Sequence, residues 1–230
     1  MTAPITIEML DGQTMPAYRA DPAGPATAAI IVIQEIFGVN AGIRHKCDAL
    51  AEAGYLAIAP DLFWRLEPGI ELDPDVAPEM ERALSLLNNF DQDRGIADIE
   101  AAIRFARGEG AAKVGAVGYC LGGRLAYMTA ARTDVDASVG YYAVGVDGLL
   151  GEKHAIARPL LLHIAGEDGF VDKAARAAMH AGLDDHPKVT LYDYPGEDHG
   201  FATEFGKRRS DAAARLADQR TAAFFADNLR

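Results

Sequence analysis

The stretch Lys113-Val-Gly-Ala-Val-Gly-Tyr-Cys-Leu-Gly-Gly123 decides how the chain reads. An apolar run with strand character, residues 113–118, passes through Gly118-Tyr119-Cys120-Leu121-Gly122 into a helix-like run from Gly122 to Arg132. This is the pattern G-x-S-x-G with Cys in place of Ser, set between a strand and a helix, the context in which the pattern carries a nucleophile. Glycines two before and two after Cys120 let the backbone turn sharply without collision. The turn places Cys120 at a helix N-terminus, where unpaired N–H groups and the helix dipole favour a thiolate. The plainer alternative is a buried cysteine in an ordinary tight turn. A phosphate-binding loop fits poorly, because neither G-x-x-x-x-G-K-[ST] nor G-x-G-x-x-G is present.

Outward from the elbow, short β-branched runs alternate with Ala-rich helical ones. Upstream, residues 5–9 and 14–19 form a hairpin about Asp11-Gly12, and Ala28-Ala-Ile-Ile-Val-Ile33 is a buried strand. A helix over 41–53, a strand over 55–59, an irregular stretch over 61–78 and helices over 79–90 and 93–107 follow. Downstream come strands at 137–142, 159–165 and 188–193, with helices at 172–183 and 210–228. Strands alternating with helices predict an α/β fold with a mostly parallel, doubly wound sheet and helices on both faces. The residues 1–230 read as a single domain. Only about 16 residues separate Tyr142 from Pro159, too few for an inserted lid domain.

The total charge of −12, from 22 Lys and Arg against 34 Asp and Glu, disfavours nucleic acid as a partner. Half the residues are apolar and 24% are charged, an ordinary globular balance. Two cysteines do not make a disulfide framework. No basic leader and no apolar run of about 18 residues is present, so the expectation is a cytoplasmic protein that does not engage a membrane.

A nucleophile needs a base, and the base needs an orienting acid. Gly166-Glu167-Asp168-Gly169 follows the buried strand at 159–165, and His199 lies in a Gly-flanked loop after the strand at 188–193. Cys120, Asp168 and His199 thus occur in the order nucleophile, acid, histidine, each beyond the C-terminal end of a strand, where open α/β sheets gather their reactive groups. Of the six histidines, His45, His154, His180 and His186 read as surface residues and His163 as a satisfied core residue. Glu167 is the rival acid, and Asp172 reads as the cap of the following helix. An oxyanion hole is expected from the N–H of Leu121 and one from the loop after Ile33, with Ile36 the candidate. Glu35, a carboxylate directly after a buried strand, is either a solvent-facing loop acid or stands beside Cys120, where it would oppose thiolate formation. Phe37, Phe63 and Trp64 are either pocket-lining or ordinary core.

Q-E-I-F-G at 34–38, P-D-L-F at 60–63, G-Y-C-L-G-G at 118–123, G-Y-Y at 140–142, G-x-D at 166–168 and H-G-F at 199–201 resemble the dienelactone hydrolase family over nearly the whole chain. The resemblance implies an α/β-hydrolase fold, a carboxylic ester hydrolase with a Cys-His-Asp triad, and no cofactor or metal. It implies Cys120 as nucleophile, His199 as base, Asp168 as orienting acid, Leu121 and Ile36 as oxyanion donors, and Glu35 as a gate on the thiol. Phe37, Trp64, Tyr142 and Thr203 are the candidate pocket residues. The type reaction opens a dienelactone, so the expected partner is a small lactone or ester, acted on by a monomer or small homo-oligomer. Typical members place arginines where this chain has Thr203 and Met80, which leaves a neutral or differently placed lactone or ester equally open. A general carboxylesterase or thioesterase, a cysteine peptidase, and a non-catalytic homologue that binds a ligand are the alternatives.

Overall fold

The computed structural model describes residues 2–230. The chain forms two compact units, Met1–Gly115 and Ala116–Arg230. In the first unit, β1 (Thr2–Glu8) and β2 (Thr14–Ala20) make the expected antiparallel hairpin. Its turn is closed by the Asp11 carboxylate, which accepts the Gln13 N–H at 3.1 Å, and by Gly12 at φ +82°. β3 (Ala28–Ile33) and β4 (Leu56–Pro60) are buried at every position and pair in parallel, while β2 runs antiparallel to β4. The strand order is β1-β2-β4-β3. Uniform burial explains why β3 is a continuous apolar run and not an alternating one. Pro60 was expected to stop β4 and instead ends it from within, at the strand's last position.

Three helices complete this unit. α1 (Ala41–Glu52) starts at Asn40, whose side chain accepts the Ile43 N–H. α2 (Ala77–Asn89) begins two residues before the expected start, because Pro78 occupies its first turn, where the missing N–H costs nothing. α3 (Gln92–Gly108) is capped by Asp91. Cys47 on α1 is fully buried, and burial pushes its thiol far above the ordinary range.

β5 (Lys113–Tyr119) crosses from the first unit's residues into the second's. The second unit continues with α4 (Leu121–Arg132), β6 (Ala137–Tyr141), β7 (Leu160–Ala165), α5 (Lys173–Leu183), β8 (Val189–Tyr194) and α6 (Asp211–Leu229). The strand order is β5-β6-β7-β8, with β6, β7 and β8 parallel. The segment between β6 and β7 holds one element missed in the sequence, a 3-10 helix at Asp147–Ala155, and no inserted domain. A core of Tyr127, Val146, Leu160, Leu162, Met179 and Leu183 packs α4 and α5 against β7.

Asp172 caps α5 as expected, accepting the Ala175 N–H at 2.7 Å. Asp172→Ala should lower stability by about 1 kcal/mol, read as a shift in the urea midpoint at unchanged slope. His163 is the satisfied core residue expected of it. Its ring shares hydrogen bonds with the Tyr194 hydroxyl at 2.7 Å and the Thr221 hydroxyl at 2.9 Å. Thr221 joins the Tyr141 hydroxyl, which donates to Asp218. Burial brings the His163 imidazole down to about 3, so it remains neutral.

Candidate active site

The elbow is built by glycine where no side chain fits. A Cβ on Gly118 would lie 1.9 Å from the Gly122 carbonyl oxygen, and one on Gly123 would lie 2.5 Å from the Tyr141 carbonyl oxygen. These contacts let α4 start on top of the β5 and β6 strand ends. Cys120 sits between them at φ 57°, ψ −115°, one of only two non-glycine residues with positive φ among the described residues. Backbone strain of this kind persists only where surrounding packing imposes it, and it is concentrated at functional sites. The Cys120 N–H donates to the Tyr141 carbonyl at 3.1 Å, and its carbonyl accepts from Arg124. The half-buried thiol makes no capping bond to α4, and the first turn of that helix holds no acid.

Asp168 and His199 come from the loops after the parallel neighbours β7 and β8. His199 Nδ1 lies 3.1 and 3.0 Å from the two Asp168 oxygens, and both residues are buried. Asp168 also accepts the Phe170 N–H at 2.8 Å, which orients its carboxylate. Glu167, the rival acid, is exposed. The His199 side chain is hydrogen-bonded to Cys120 as well. Burial works against its imidazolium, but the hydrogen bonds and charges of Asp168 and Cys120 outweigh it and lift the group to about 10. The direction of the shift favours the charged form of the ring beside Asp168 and Cys120.

The second unit thus brings Cys120, Leu121, Tyr142, Asp168, His199 and Thr203 into one set of loops. Tyr142, the other positive-φ residue at φ 37°, sets its ring edge-on to His199 at 5.0 Å. It is fully buried, so it supports the histidine ring from within the core. The Thr203 hydroxyl is buried and has no hydrogen-bond partner among the described residues. Three neighbours of His199 were not anticipated. Phe170, 57% exposed, packs edge-on to it at 4.8 Å. Arg208 donates to the His199 carbonyl and lies 5.7 Å over the Phe170 ring. Asp198 accepts the His199 N–H at 2.6 Å. Phe170 lies two residues from Asp168 and Asp198 one from His199, so adjacency was the available signal. Arg208 belongs to the basic run Lys207-Arg208-Arg209, which on sequence reads as a solvated patch or a substitute for the missing family arginines and not as a support of His199. Arg209, by contrast, is committed to the Thr203 carbonyl, Glu204 and Asp211.

The remaining candidates lie in the first unit. Glu35, Ile36 and Phe37 follow β3 and are buried, Glu35 at 9% exposure. Gln34 anchors them, its Oε1 accepting the Leu62 N–H at 3.0 Å. Gly38 closes the loop at φ +75°, where a Cβ would meet the Ile70 carbonyl oxygen at 1.9 Å. Phe63 is core, packed edge-on to Phe90. Trp64 donates from Nε1 to the buried Asp98 at 3.1 Å and stacks under the Arg65 guanidinium. Among the described residues no group of three or more His, Cys, Asp or Glu is placed to hold a metal ion, and no helix is long and apolar enough to cross a membrane.

Residues 15–229 match the family model described as the dienelactone hydrolase family. The chain belongs to that family. Dienelactone hydrolase relatives include the carboxymethylenebutenolidase of Pseudomonas putida, 40% identical over 98% of this chain and 97% of that one. A candidate carboxymethylenebutenolidase of Azospirillum brasilense is 47% identical over 98% of both chains. In structure, a candidate dienelactone hydrolase from Klebsiella pneumoniae superposes with a TM-score of 0.86 at 28% identity, over 98% of each chain. The chain accordingly has the α/β-hydrolase fold of dienelactone hydrolases and is a hydrolase of ester or lactone bonds.

Proposed function

We propose that this dienelactone hydrolase relative opens a small lactone or ester through Cys120, His199 and Asp168, by way of an acyl-enzyme. The observation that supports it most is the His199 ring, bonded through Nδ1 to Asp168 and also bonded to Cys120. The Cys120 thiol passes its proton to His199 as its sulfur attacks the carbonyl carbon, and the C=O electron pair moves onto oxygen. The N–H of Leu121 at the head of α4 receives that oxyanion, with the Ile36 N–H as its second donor. The pair returns, the ring or ester C–O bond breaks, and the leaving oxygen departs with a proton from His199. Water then attacks the thioester, giving its proton to His199, and the Cys120 thiolate is released.

In this reading Glu35 controls the resting thiol. Glu35→Gln is expected to raise the rate of Cys120 alkylation by iodoacetamide in the absence of substrate, followed by mass spectrometry of the tryptic peptide. An unchanged rate removes the gate and leaves the nucleophile standing.

Thr203 carries the argument about substrate. Where typical family members place an arginine this chain has Thr203, so the paired charge that a substrate carboxylate wants is missing from that position. The reading therefore favours a neutral lactone or ester, handled in the cytoplasm without cofactor. A carboxylesterase or thioesterase of another small substrate uses the same groups. A panel of enol lactones, aryl esters and thioesters, each with and without a carboxylate, with the acyl-enzyme trapped at Cys120, tests it. Rates highest on carboxylated lactones would reverse the substrate assignment, and hydrolysis with no acyl adduct would reject the mechanism.

A further inference from the structure

The acid and the histidine come from different loops, so something must hold those loops in register. Two links are backbone only: the Gly166 N–H donates to the Tyr194 carbonyl at 2.9 Å, and the Glu167 N–H to the Glu197 carbonyl at 2.8 Å. Both lie at the roots of the loops. Nearer the tip, the two remaining donors converge on one side chain. Asp198 Oδ1 accepts the Gly169 N–H at 2.9 Å and the His199 N–H at 2.6 Å. Gly169 directly follows Asp168, and Asp198 directly precedes His199. One carboxylate oxygen thus grips the backbone beside both partners of the imidazole–carboxylate bond.

We propose that Asp198 is a positioning residue that sets the Asp168–His199 geometry by clamping the two loops together. This rests on the reading of His199 as the base. Beside the His199–Asp168 bond itself and the two backbone links, it is a link made by a side chain, and so one a substitution can remove. Two N–H groups on one anionic acceptor make charge-assisted bonds, stronger than their neutral counterparts. Those same bonds hold the Asp198 carboxyl below the ordinary carboxylate range, so the acceptor stays ionised at neutral pH. The other side of His199 is held too: Arg208 donates to the His199 carbonyl at 3.3 Å and lies 4.0 Å from Asp198 Oδ2. The charged and titratable groups facing the His199 backbone and ring are therefore Asp168, Asp198, Arg208 and Cys120. A loosened loop misplaces the ring by a fraction of an ångström, which acts on the rate of chemistry more than on substrate affinity.

The test compares Asp198→Ala, Asp198→Asn and His199→Ala with the parent on 4-nitrophenyl acetate, with the His199 ring titration followed by NMR. The expected result for Asp198→Ala is a fall in kcat of about tenfold or more with KM within about twofold. Its His199 titration should move to lower pH, because a lengthened bond to Asp168 supports the imidazolium less. Asp198→Asn keeps an oxygen acceptor for both N–H groups and should hold kcat within about threefold. Loss of activity in Asp198→Asn equal to that in Asp198→Ala overturns the clamp, since charge and not the two bonds would then matter. The Asn variant decides the question even where the Ala variant fails to fold. An Asp198→Ala enzyme with unchanged kcat and titration also overturns it, while an inactive His199→Ala leaves the base assignment intact. A fully active His199→Ala removes the base assignment and the clamp together.

Discussion

Cys120→Ala is expected to lower kcat by about 10⁴-fold or more, on the scale seen when a nucleophile is removed from a preorganised site. The substitution removes one sulfur atom from a turn already shaped around a small side chain. The elbow geometry should survive it, since Cys120 is anchored by its backbone bonds to Tyr141 and Arg124. The loss is therefore chemical, and a thermal melt close to that of the parent separates it from unfolding. Cys47 supplies the internal control. It is fully buried on α1 with its thiol pushed up by desolvation, so iodoacetamide should label Cys120 and spare Cys47 in the folded protein. Full hydrolysis by Cys120→Ala would move the chemistry to another group altogether.

Gly118→Ala should be strongly damaging although it adds a single methyl. Its Cβ would stand 1.9 Å from the Gly122 carbonyl oxygen, which is backbone at the start of α4 and cannot swing aside as a flexible side chain does. Relief requires α4 to separate from β5, and with it the strained conformation at Cys120 is lost. The cost is expected to be about 3 kcal/mol or more, read from urea unfolding, with activity falling further than stability alone explains. Gly148→Ala, where no atom lies within 4 Å of the added carbon, is the matched substitution and should be close to neutral. A Gly118→Ala protein with the parent's stability and rate would show that the turn is not tightly packed.

Much of this architecture was legible because its signals are local. Apolar runs without alternation marked β3 and β7, glycine at the elbow marked the strand-to-helix turn, and Asp172 marked the start of α5. The errors were local too. Pro78 falls at the end of the stretch expected to be irregular although the first turn of α2 accepts it, and the short 3-10 helix at Asp147–Ala155 has no apolar period to betray it. At the site, the order of Cys120, Asp168 and His199 named three residues that side-chain hydrogen bonds bring together, but the choice of acid stayed open at that level. Glu167 and Asp168 differ by one position, and only folding shows one exposed and the other buried against His199.

Sequence by itself determined the α/β class, the elbow and the residue types available to it, because strand, turn and helix preferences depend on neighbours a few residues apart. Tertiary structure alone decided which acid meets the histidine, how Phe170 and Arg208 flank it, and that Asp198 ties both loops. Asp168 and His199 are 31 residues apart along the chain. They meet because β7 and β8 pair in parallel from Leu160–Val189 to Ala165–Tyr194, which carries both loops to the same end of the strands. That register is set by burial and hydrogen bonding across strands, and no short window of residues records it.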